Sequence, residues 1–479
     1  MSQQSTPRTP SWRYHLQRAG MLLLCSMGPL ACATPTREEI RLEAYSWWTQ
    51  PSEKKAFEQV LDIYNGLHRG ESRAVNQVTR DVSADEVRAT LTARLLAGAP
   101  PSTFQANAGA DLLRWTAMDT TESPLSSSSR IAPLSDLFER ISLRHALPGD
   151  LYEAVRAGPL RLPYAVPLNI HRLNVVYYNT AALASYKRVH GEQSFLDPAL
   201  LCPEDVATRL DDPNERLEVT IAVGNKDSFA LTLLTLENML PAVADAKSYP
   251  QATGRTLYDE LFLGRLAESQ WHQPVLRALQ CVQYLSRSFL RDEDLSWAEA
   301  LHRVESGKAD LSVMGDWANG ELKEALRTGT VDARPFPGSE GTFVFTSDTF
   351  PLPEAAPYRK ESEELLETLA SINAQLAFSL EKGSIPARTD ILPIPFAEQL
   401  GERAVQTRRE FDDANIHKSI ATSGLFPPYF PDDLSARLST MTAEGASKDT
   451  IENVLDFFRD ALPLLERWQS RIATGQPVP

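Results

Sequence analysis

The fold is decided by residues 40–67, IRLEAYSWWTQPSEKKAFEQVLDIYNGL. The first six, Ile40–Tyr45, alternate apolar and polar residues, which predicts a strand with one buried face. After a short loop, apolar residues recur every three to four positions from Phe57 to Leu67, so we expect an amphipathic helix with Ser52 as its cap. A strand that leads directly into a helix is typical of an α/β domain.

The next elements continue this alternation. A helix is predicted over about 85–96 and ends at the Gly-Ala-Pro-Pro stretch 98–101, after which residues 103–105 form a short buried strand. This order favours a largely parallel sheet, whose ligands bind in loops at the carboxyl ends of the strands. Trp48 and Gln105 lie at such ends and are the first candidate site residues.

The rest of the chain predicts two lobes that the backbone enters more than once. Residues 164–179 have the pattern of a strand crossing from one lobe to the other, and the Ser/Thr-rich stretch 119–130 has that of an exposed loop. Further helices are expected at 228–240, 274–289, 296–305 and 361–380, and strands at 309–314 and 341–352. Two lobes joined by several crossovers can close like a hinge.

Composition and charge exclude several classes of protein. The 479-residue chain has 63 acidic and 48 basic residues, a net charge of −15, and no dense Lys/Arg run, so we expect no nucleic-acid partner. Its sequence contains no HExxH helix, GxSxG turn or phosphate-binding GxxxxGK loop, and no His pair at metal-ligand spacing. We therefore expect no cofactor, no metal and no catalysis.

The amino terminus has the layout of an export signal. Three arginines precede an apolar run, residues 19–31, that is too short to span a bilayer. Leu30-Ala31-Cys32 resembles a lipobox, which predicts lipidation at Cys32, whereas Ala31-Cys32-Ala33 also fits ordinary signal cleavage, with Thr34 as the first mature residue. In both alternatives residues 1–33 contain the signal peptide, and the mature chain begins at Cys32 if this residue is lipidated and at Thr34 otherwise. Both place the mature protein in the periplasm or at the outer face of the cytoplasmic membrane.

Two cysteines, Cys202 and Cys281, remain in the predicted mature chain. An oxidising compartment would allow them to form a disulfide, and two separate buried thiols are the alternative. Their spacing matches no zinc-binding pattern.

Six sequence blocks in a fixed order carry a family resemblance. They are SWWTQPSEKKAFEQV (46–60), LLAGAPPSTFQANAGADLL (95–113), LPYAVPLNIHRLNVVYYN (162–179), LSWAEALHRVESGKADLSVMGDWANG (295–320), PFPGSEGTFVFTSDTF (335–350) and EKGSIPARTD (381–390). In these blocks the chain resembles the extracellular solute-binding proteins of family 1, and specifically their glucose/mannose-binding branch. The resemblance implies an α/β, periplasmic-binding-protein-like fold, with two lobes of discontinuous segments, a hinge and a ligand in the interlobe cleft.

The same resemblance and the predicted crossovers assign chain segments to the two lobes. We expect lobe 1 to contain residues 38–170 and a return segment 346–380. Lobe 2 would contain residues 171–345 and a carboxy-terminal segment 381–472, followed by a flexible tail, 473–479.

A sugar ligand would need a particular set of side chains. Its hydroxyls donate and accept hydrogen bonds, and its C–H faces pack on aromatic planes, so Trp48 and Trp317 are predicted stacking platforms, with Trp47 as a second choice. The resemblance assigns further binding positions to Glu53, Gln105, Asn107, Asp111, His171, Arg172, Asp316, Asp348, Lys382 and Ser423. Among these, Asp348 and Lys382 are expected to dominate ligand orientation, because charged groups make the stronger hydrogen bonds.

Several of these positions have an alternative role or depart from the family pattern. Each Trp could belong to the core, Asp316 could cap a helix, and Asp111, His171 and Arg172 could be hinge or surface residues. Asn107 stands where glucose-binding relatives have His, and Ser423 lies in a segment, 419–424, that replaces one with a sugar-binding His. We therefore expect a ligand related to glucose but different from it.

The resemblance predicts an extracytoplasmic protein that delivers a mono- or short oligosaccharide to the permease subunits of an ABC importer, as a monomer. Acylation of Cys32 would attach it to the membrane. Two alternatives remain. One is an exported glycan-active enzyme, which would need a pair of catalytic carboxylates. The other is a ligand-sensing partner of a membrane receptor with the same fold.

Overall fold

The structure is a computed structural model that describes residues 40–71, 73–78, 84–116, 129–244, 268–291, 294–391, 393–427 and 429–474. The predicted signal peptide with Cys32, most of the predicted loop 119–130 and residues 475–479 lie outside these ranges. The last helix continues to Thr474, so the predicted tail begins inside it. None of the helices in the described part of the chain is long and apolar enough to cross a membrane.

Lobe 1 is built on two sheets. The first has three parallel strands in the order Arg73–Val78, Ile40–Tyr45 and Thr103–Phe104, as the alternation of helix and strand predicted. In the second, Asp348–Pro353 pairs antiparallel with Ala106–Asn107, Ala165–Pro167 and Ile131–Ala132. A two-stranded hairpin joins Arg156–Ala157 to Leu162–Pro163.

Helices surround the sheets of lobe 1. They are Pro51–Leu67, Ala84–Leu96, Ala110–Leu113, Ser135–Arg140, Gly149–Ala154, Arg359–Leu369, Ile372–Lys382 and Pro393–Asp413, with 3₁₀ turns at Arg114–Thr116 and Leu143–Ala146. The stretch predicted as one helix over 361–380 is thus two helices. Ser371 caps the second by accepting a hydrogen bond from the backbone N–H of Ala374.

The helix Pro51–Leu67 corrects two details of the prediction. Gln50 is its N-cap and forms a capping box with Glu53, whereas the predicted cap, Ser52, lies in the first turn. Phe57, Val60, Leu61 and Tyr64 are buried as expected. Leu67 is 69% exposed, because the helix ends at this residue, beyond the edge of the core.

Lobe 2 contains one mixed sheet surrounded by helices. The strands lie in the order Ile221–Ala222, Leu311–Met314, Val175–Asn179 and Val331–Pro335. The helices are Thr180–His190, Pro198–Leu201, Val206–Arg209, Phe229–Thr232, Leu240–Ala244, Glu268–Ser286, Trp297–Glu305, Ala318–Glu321, Lys323–Thr328, Tyr429–Met441 and Asp449–Thr474. A π-helical segment, Leu233–Met239, fills the middle of the helix that was predicted over 228–240.

A third four-stranded sheet lies where the chain passes between the lobes. Its strands are, in order, Ile385–Pro386, Asn169–Arg172, Thr342–Thr346 and Asn415–Lys418. Within one of them, Phe343 and Phe345 pack in the core of lobe 1 and Val344 packs in the core of lobe 2. Alternate side chains of a strand point to opposite faces, so this strand contributes to both cores.

Two separate hydrophobic cores confirm the predicted two-lobed α/β fold. The lobe 1 core also includes Ile385, Phe396 and Phe411, so the chain returns to lobe 2 after Phe411 rather than after residue 380. Trp468, near the end of the last helix, packs in the lobe 1 core as well. The predicted carboxy-terminal segment of lobe 2 is therefore shorter than residues 381–472.

Cys202 and Cys281 form a disulfide in lobe 2. Cys281 is buried in the helix Glu268–Ser286, and Cys202 follows directly after the short helix Pro198–Leu201. The two cysteines are 79 residues apart in sequence, so the bond closes a long loop and restricts the conformations of the unfolded chain.

Removal of this disulfide is expected to destabilise lobe 2. The chain-entropy estimate for a loop of this size is about 4 kcal/mol, so the double variant Cys202→Ala/Cys281→Ala should unfold at a clearly lower urea concentration than the native protein. Peptide mapping without reduction should recover the two cysteines in one linked peptide. Recovery of two unlinked peptides with free thiols would contradict the bond.

Glu237 is a fully buried carboxylate at the centre of lobe 2. Its Oε1 accepts hydrogen bonds from the hydroxyl of Ser419 at 2.6 Å and from the backbone N–H groups of Ile420 and Ala421 at 2.7 Å each. Burial raises the pKa of Glu237 to about 7, although these three hydrogen bonds oppose the shift. The carboxylate thus fixes the start of segment 419–424 and loses its proton close to neutral pH.

This pKa predicts a pH dependence of stability. The folded protein binds more protons at Glu237 than the unfolded chain does between about pH 4.5 and 7, so Glu237 makes stability fall as pH rises through that window. Glu237→Gln keeps an acceptor oxygen and removes the titration. The free energy of unfolding would be measured with urea at pH 5.0, 6.0 and 7.5. The difference between the variant and the native protein should increase with pH in favour of the variant, by about 3 kcal/mol. An unchanged difference across the three pH values would contradict the assignment.

Candidate ligand-binding cleft

A cavity of about 400 Å³ lies between the two lobes. Lobe 1 and the crossing strands contribute Trp47, Trp48, Thr49, Gln50, Glu53, Arg88, Asn107, His171, Thr346, Asp348 and Lys382. Lobe 2 contributes Lys226, Asp227, Ser228, Phe229, Ser296, Trp297, Trp317, Ala421, Thr422, Ser423, Pro431 and Asp432. Nine of the thirteen predicted site residues are in these two sets.

Trp317 borders the cavity from lobe 2, directly after the strand Leu311–Met314. Its ring lies against Gly315, where a Cβ atom would come within 2.1 Å of the indole. The ring of His171 meets it edge-on at 5.6 Å between centroids, and the ring of Phe229 does so at 6.1 Å. Only 9% of Trp317 is exposed, so packing holds the indole in one position beside the cavity.

His171 connects carboxylates of the two lobes. Its Nδ1 donates to Oδ1 of Asp316 at 2.5 Å, and its Nε2 lies 3.4 Å from Oδ2 of Asp348. Burial lowers the pKa of His171, but the charge of Asp316 and the hydrogen bonds to both carboxylates raise it more, so the pKa lies above its usual value. Asp316, which does not border the cavity, therefore positions His171 rather than contacting a ligand.

Asp348 is held by several partners at the start of its strand. The side-chain amides of Gln105 and Asn169 donate to its two oxygens at 2.7 and 2.9 Å. Burial raises the pKa of Asp348, whereas the hydrogen bond and charge of His171 and the charge of Lys382 lower it below its usual value. Gln105 does not border the cavity, so its predicted contact with the ligand becomes a contact with Asp348.

Lys382 and Glu53 form a buried ion pair at the edge of the cavity. Lys382 is the last residue of the helix Ile372–Lys382, and Glu53 lies in the first turn of Pro51–Leu67. Because the pair comes from two packed helices, it presents a cation and an anion to the cavity in fixed positions.

The segment 419–424 crosses from lobe 2 to touch lobe 1. Asn107 donates from its side chain to the carbonyl of Thr422 at 2.9 Å, and the N–H of Asp111 donates to the carbonyl of Ser423 at 2.8 Å. Gly109 has a positive φ of 101°, and a Cβ there would lie 1.8 Å from the carbonyl oxygen of Gly424. Only glycine permits this approach.

Two other predicted residues are structural. The carboxylate of Asp111 accepts from the N–H of Asn107 at 3.0 Å and pairs with Arg88 at 3.2 Å, so it contacts two residues that border the cavity without bordering it itself. Arg172 is buried over the ring of Phe343, pairs with Glu410 and donates to the carbonyl of Thr342 at 2.8 Å. Their charges are used inside the fold, so neither is a ligand-binding residue in this structure.

The adjacent residues Trp47 and Trp48 differ in their surroundings. Trp48 is 1% exposed and packs on Phe57, Phe350 and Phe378, so most of its ring lies in the core of lobe 1. Trp47 is less buried and has the guanidinium of Arg88 5.0 Å from its ring centroid. Both tryptophans border the cavity, and Trp47 is the less buried of the two.

Several lining residues were not predicted from the sequence. They are Arg88, Lys226, Asp227, Phe229, Trp297 and Asp432. Trp297 lies inside the block 295–320, where the sequence pattern predicts only that it belongs to the helix over 296–305. No group of His, Cys, Asp and Glu that could hold a metal ion occurs among the residues that the structure describes.

The lobes also touch beside the cavity, in a set of polar contacts that we call the interlobe contact. Glu321 of lobe 2 accepts hydrogen bonds from the backbone N–H of Ser52, at 3.1 Å, and from its hydroxyl. Asn319 donates to the carbonyl of Gly383 at 3.2 Å. The carboxylate of Glu321 thus lies at the amino end of the helix Pro51–Leu67, where the helix dipole favours a negative charge.

Comparisons with known proteins agree with this architecture. The family model described as "Bacterial extracellular solute-binding protein" matches residues 60–404. An uncharacterized ABC transporter extracellular-binding protein of Pyrococcus horikoshii is 26% identical, over 91% of this chain and 92% of that protein. A probable sugar-binding periplasmic protein of Rhizobium meliloti is 25% identical, over 80% and 84%.

A solved structure gives the same result for the fold. The bacterial solute receptor AcbH, described as having a substrate preference for b-D-galactopyranose, superposes with a TM-score of 0.67 at 15% identity. The match covers 90% of this chain and all of that one. The chain belongs to the family of bacterial extracellular solute-binding proteins.

Proposed function

We propose that this protein binds a neutral sugar in the cleft between its lobes and delivers it to the permease of an ABC importer. The observation that carries the proposal is the cavity, which tryptophans of both lobes border together with carboxylates and a lysine held in fixed positions. Sugar hydroxyls need such donors and acceptors, and sugar C–H faces need aromatic planes. The related proteins named as sugar-binding periplasmic proteins support this assignment.

The charges around the cavity favour a neutral ligand. Its acidic groups are Glu53, Asp227, Asp348 and Asp432, and its basic groups are Arg88, Lys226, Lys382 and His171. The two signs occur in equal numbers, and three of the basic groups, Lys382, Arg88 and His171, are already paired with the carboxylates of Glu53, Asp111 and Asp316. A ligand with a net charge would add an unpaired charge to a partly buried site, which costs free energy.

The interlobe contact supports capture by closure of the lobes. Trp317 leads directly into the helix Ala318–Glu321, whose last residue bonds to Ser52 of lobe 1. A sugar packed on Trp317 would therefore favour the arrangement in which the interlobe contact is formed and the lobes are together. Such coupling shifts a hinge equilibrium toward the closed form, the form that a permease could recognise.

The family is extracellular, so the protein acts outside the cytoplasm. Attachment through a lipid on Cys32, a monomeric state and a ligand close to but different from glucose are further parts of the proposal. The relatives are binding proteins rather than enzymes, which favours transport over the glycan-active alternative. Recovery of the bound sugar chemically unchanged would separate the two.

Substitution of Trp317 and Asp348 tests the site. Trp317→Ala removes an aromatic plane, and Asp348→Asn removes a charged acceptor worth about 1.5–3 kcal/mol per hydrogen bond, so each should weaken sugar binding at least tenfold. Affinity would be measured by intrinsic fluorescence or calorimetry with glucose, galactose, xylose and their disaccharides.

The matched controls are Asp332→Asn and Trp317→Phe. Asp332 is a carboxylate outside the cavity that pairs with Arg403, so its loss should leave affinity within twofold. Trp317→Phe should retain part of the binding. Circular dichroism would verify that each variant is folded. Folded Trp317→Ala and Asp348→Asn variants that both bind within threefold of the native protein would exclude this site.

A further inference from the structure

The side chains around the cavity form two clusters that differ in burial and in position. The inner cluster, Trp317 with His171, Asp348, Lys382 and Glu53, is almost completely buried. The outer cluster, Trp297 with Lys226, Asp227 and Asp432, lies in lobe 2, and its charged side chains are partly or largely exposed. The inner cluster contains the groups described above as the sugar site, and the outer cluster contributes three of the charged groups that border the same cavity.

Loop and helix contacts build the outer cluster as a fixed surface. Oδ2 of Asp227 accepts from the backbone N–H of Trp297 at 2.6 Å. The N–H of Lys226 donates to the carbonyl of Leu295 at 3.0 Å, which holds the same loop against the start of the helix Trp297–Glu305. The loop that carries Lys226 and Asp227 is therefore held against the start of the helix that carries Trp297.

Two further contacts complete the outer cluster and connect it to the inner one. The hydroxyl of Ser228 donates to Oδ1 of Asp432 at 3.3 Å, which joins the loop to the helix Tyr429–Met441. Phe229 follows in sequence, borders the cavity, and has its ring 6.1 Å from that of Trp317. The ring of Phe229 thus lies between Trp317 of the inner cluster and the loop that carries Lys226 and Asp227 of the outer cluster.

The volume of the cavity exceeds the need of a single sugar ring. One water needs roughly 10–15 Å³ of this kind of free volume, so a cavity of 400 Å³ has room for about thirty waters. A hexopyranose has about 12 non-hydrogen atoms, and covalently bonded atoms occupy less space than the same number of separate waters. A monosaccharide on the inner cluster would leave the outer one unfilled.

From these observations we infer that the cleft takes an oligosaccharide of at least two sugar residues. The inner sugar packs on Trp317, and the next packs on Trp297, with its hydroxyls donating to Asp227 and Asp432 and accepting from Lys226. This inference rests on the proposed sugar-binding function. It makes the outer cluster the determinant of ligand length.

The test compares affinities for disaccharides and for the monosaccharides that they contain. The probes are maltose, cellobiose, lactose and xylobiose beside glucose, galactose and xylose, titrated calorimetrically against the native protein. We expect at least one disaccharide to bind tenfold or more tightly than either of its component sugars. Monosaccharides that bind as tightly as every disaccharide containing them would overturn the inference and leave the proposed function intact. No binding of any sugar would instead overturn the proposed function.

Variants of the outer cluster then test the assignment of residues. Trp297→Ala, Lys226→Ala and Asp432→Asn should each lower the ratio of disaccharide to monosaccharide affinity at least fivefold. The last two change exposed side chains and avoid the folding defect that loss of the largely buried Trp297 could cause. Asp433→Asn, at the exposed neighbouring residue outside the cavity, is the matched control and should keep the ratio within twofold. Unchanged ratios in both Lys226→Ala and Asp432→Asn would overturn the inference.

Discussion

A chain of buried polar contacts constrains both lobes at once: Asp316 accepts a hydrogen bond from His171, whose other ring nitrogen lies 3.4 Å from Asp348 and 2.8 Å from the side-chain amide of Asn169. A buried charge without a partner is costly, so the two carboxylates cannot separate freely from the ring between them. His171 lies on a strand by which the main chain crosses between the lobes. Asp316 precedes Trp317, so the aromatic surface of lobe 2 keeps its position relative to the carboxylate of lobe 1. In this arrangement of the lobes, the side chains on both sides of the cavity are therefore held in fixed positions relative to one another.

Two other connections surround this chain and join the same lobes. Glu321 at the amino end of the helix Pro51–Leu67 lies beside the cavity, and segment 419–424 reaches lobe 1 through Gly109. Glu237 holds the start of that segment from within lobe 2, through three hydrogen bonds to one oxygen. Relative movement of the lobes must change these contacts together, which is the behaviour expected of a hinged protein with two discrete arrangements.

Hydrophobic periodicity was sufficient to predict the helices and strands of residues 40–67 and 85–105, but it missed the strand Arg73–Val78 between them. The order of six sequence blocks was sufficient to predict two lobes. The roles of individual aromatic residues were not predictable in the same way. Trp48 and Trp317 both stand beside polar residues, yet Trp48 packs on Phe350 and Phe378, about three hundred residues away in sequence. The outer cluster was missed for a similar reason, because Asp227 and Trp297 meet only through a tertiary contact. Gln105 and Asp316, which the sequence placed among the site residues, contact Asp348 and His171 and do not border the cavity.

The most direct measurement of the central claim is native mass spectrometry of the full-length protein after incubation with a mixture of neutral mono- and disaccharides, followed by buffer exchange. A sugar held in a closed cleft should remain bound, so we expect a mass increment of a single sugar molecule per chain. The released sugar should have its original mass after a day of incubation. A protein that retains none of the sugars, or that returns a cleaved or otherwise altered product, would contradict a sugar-binding role in transport.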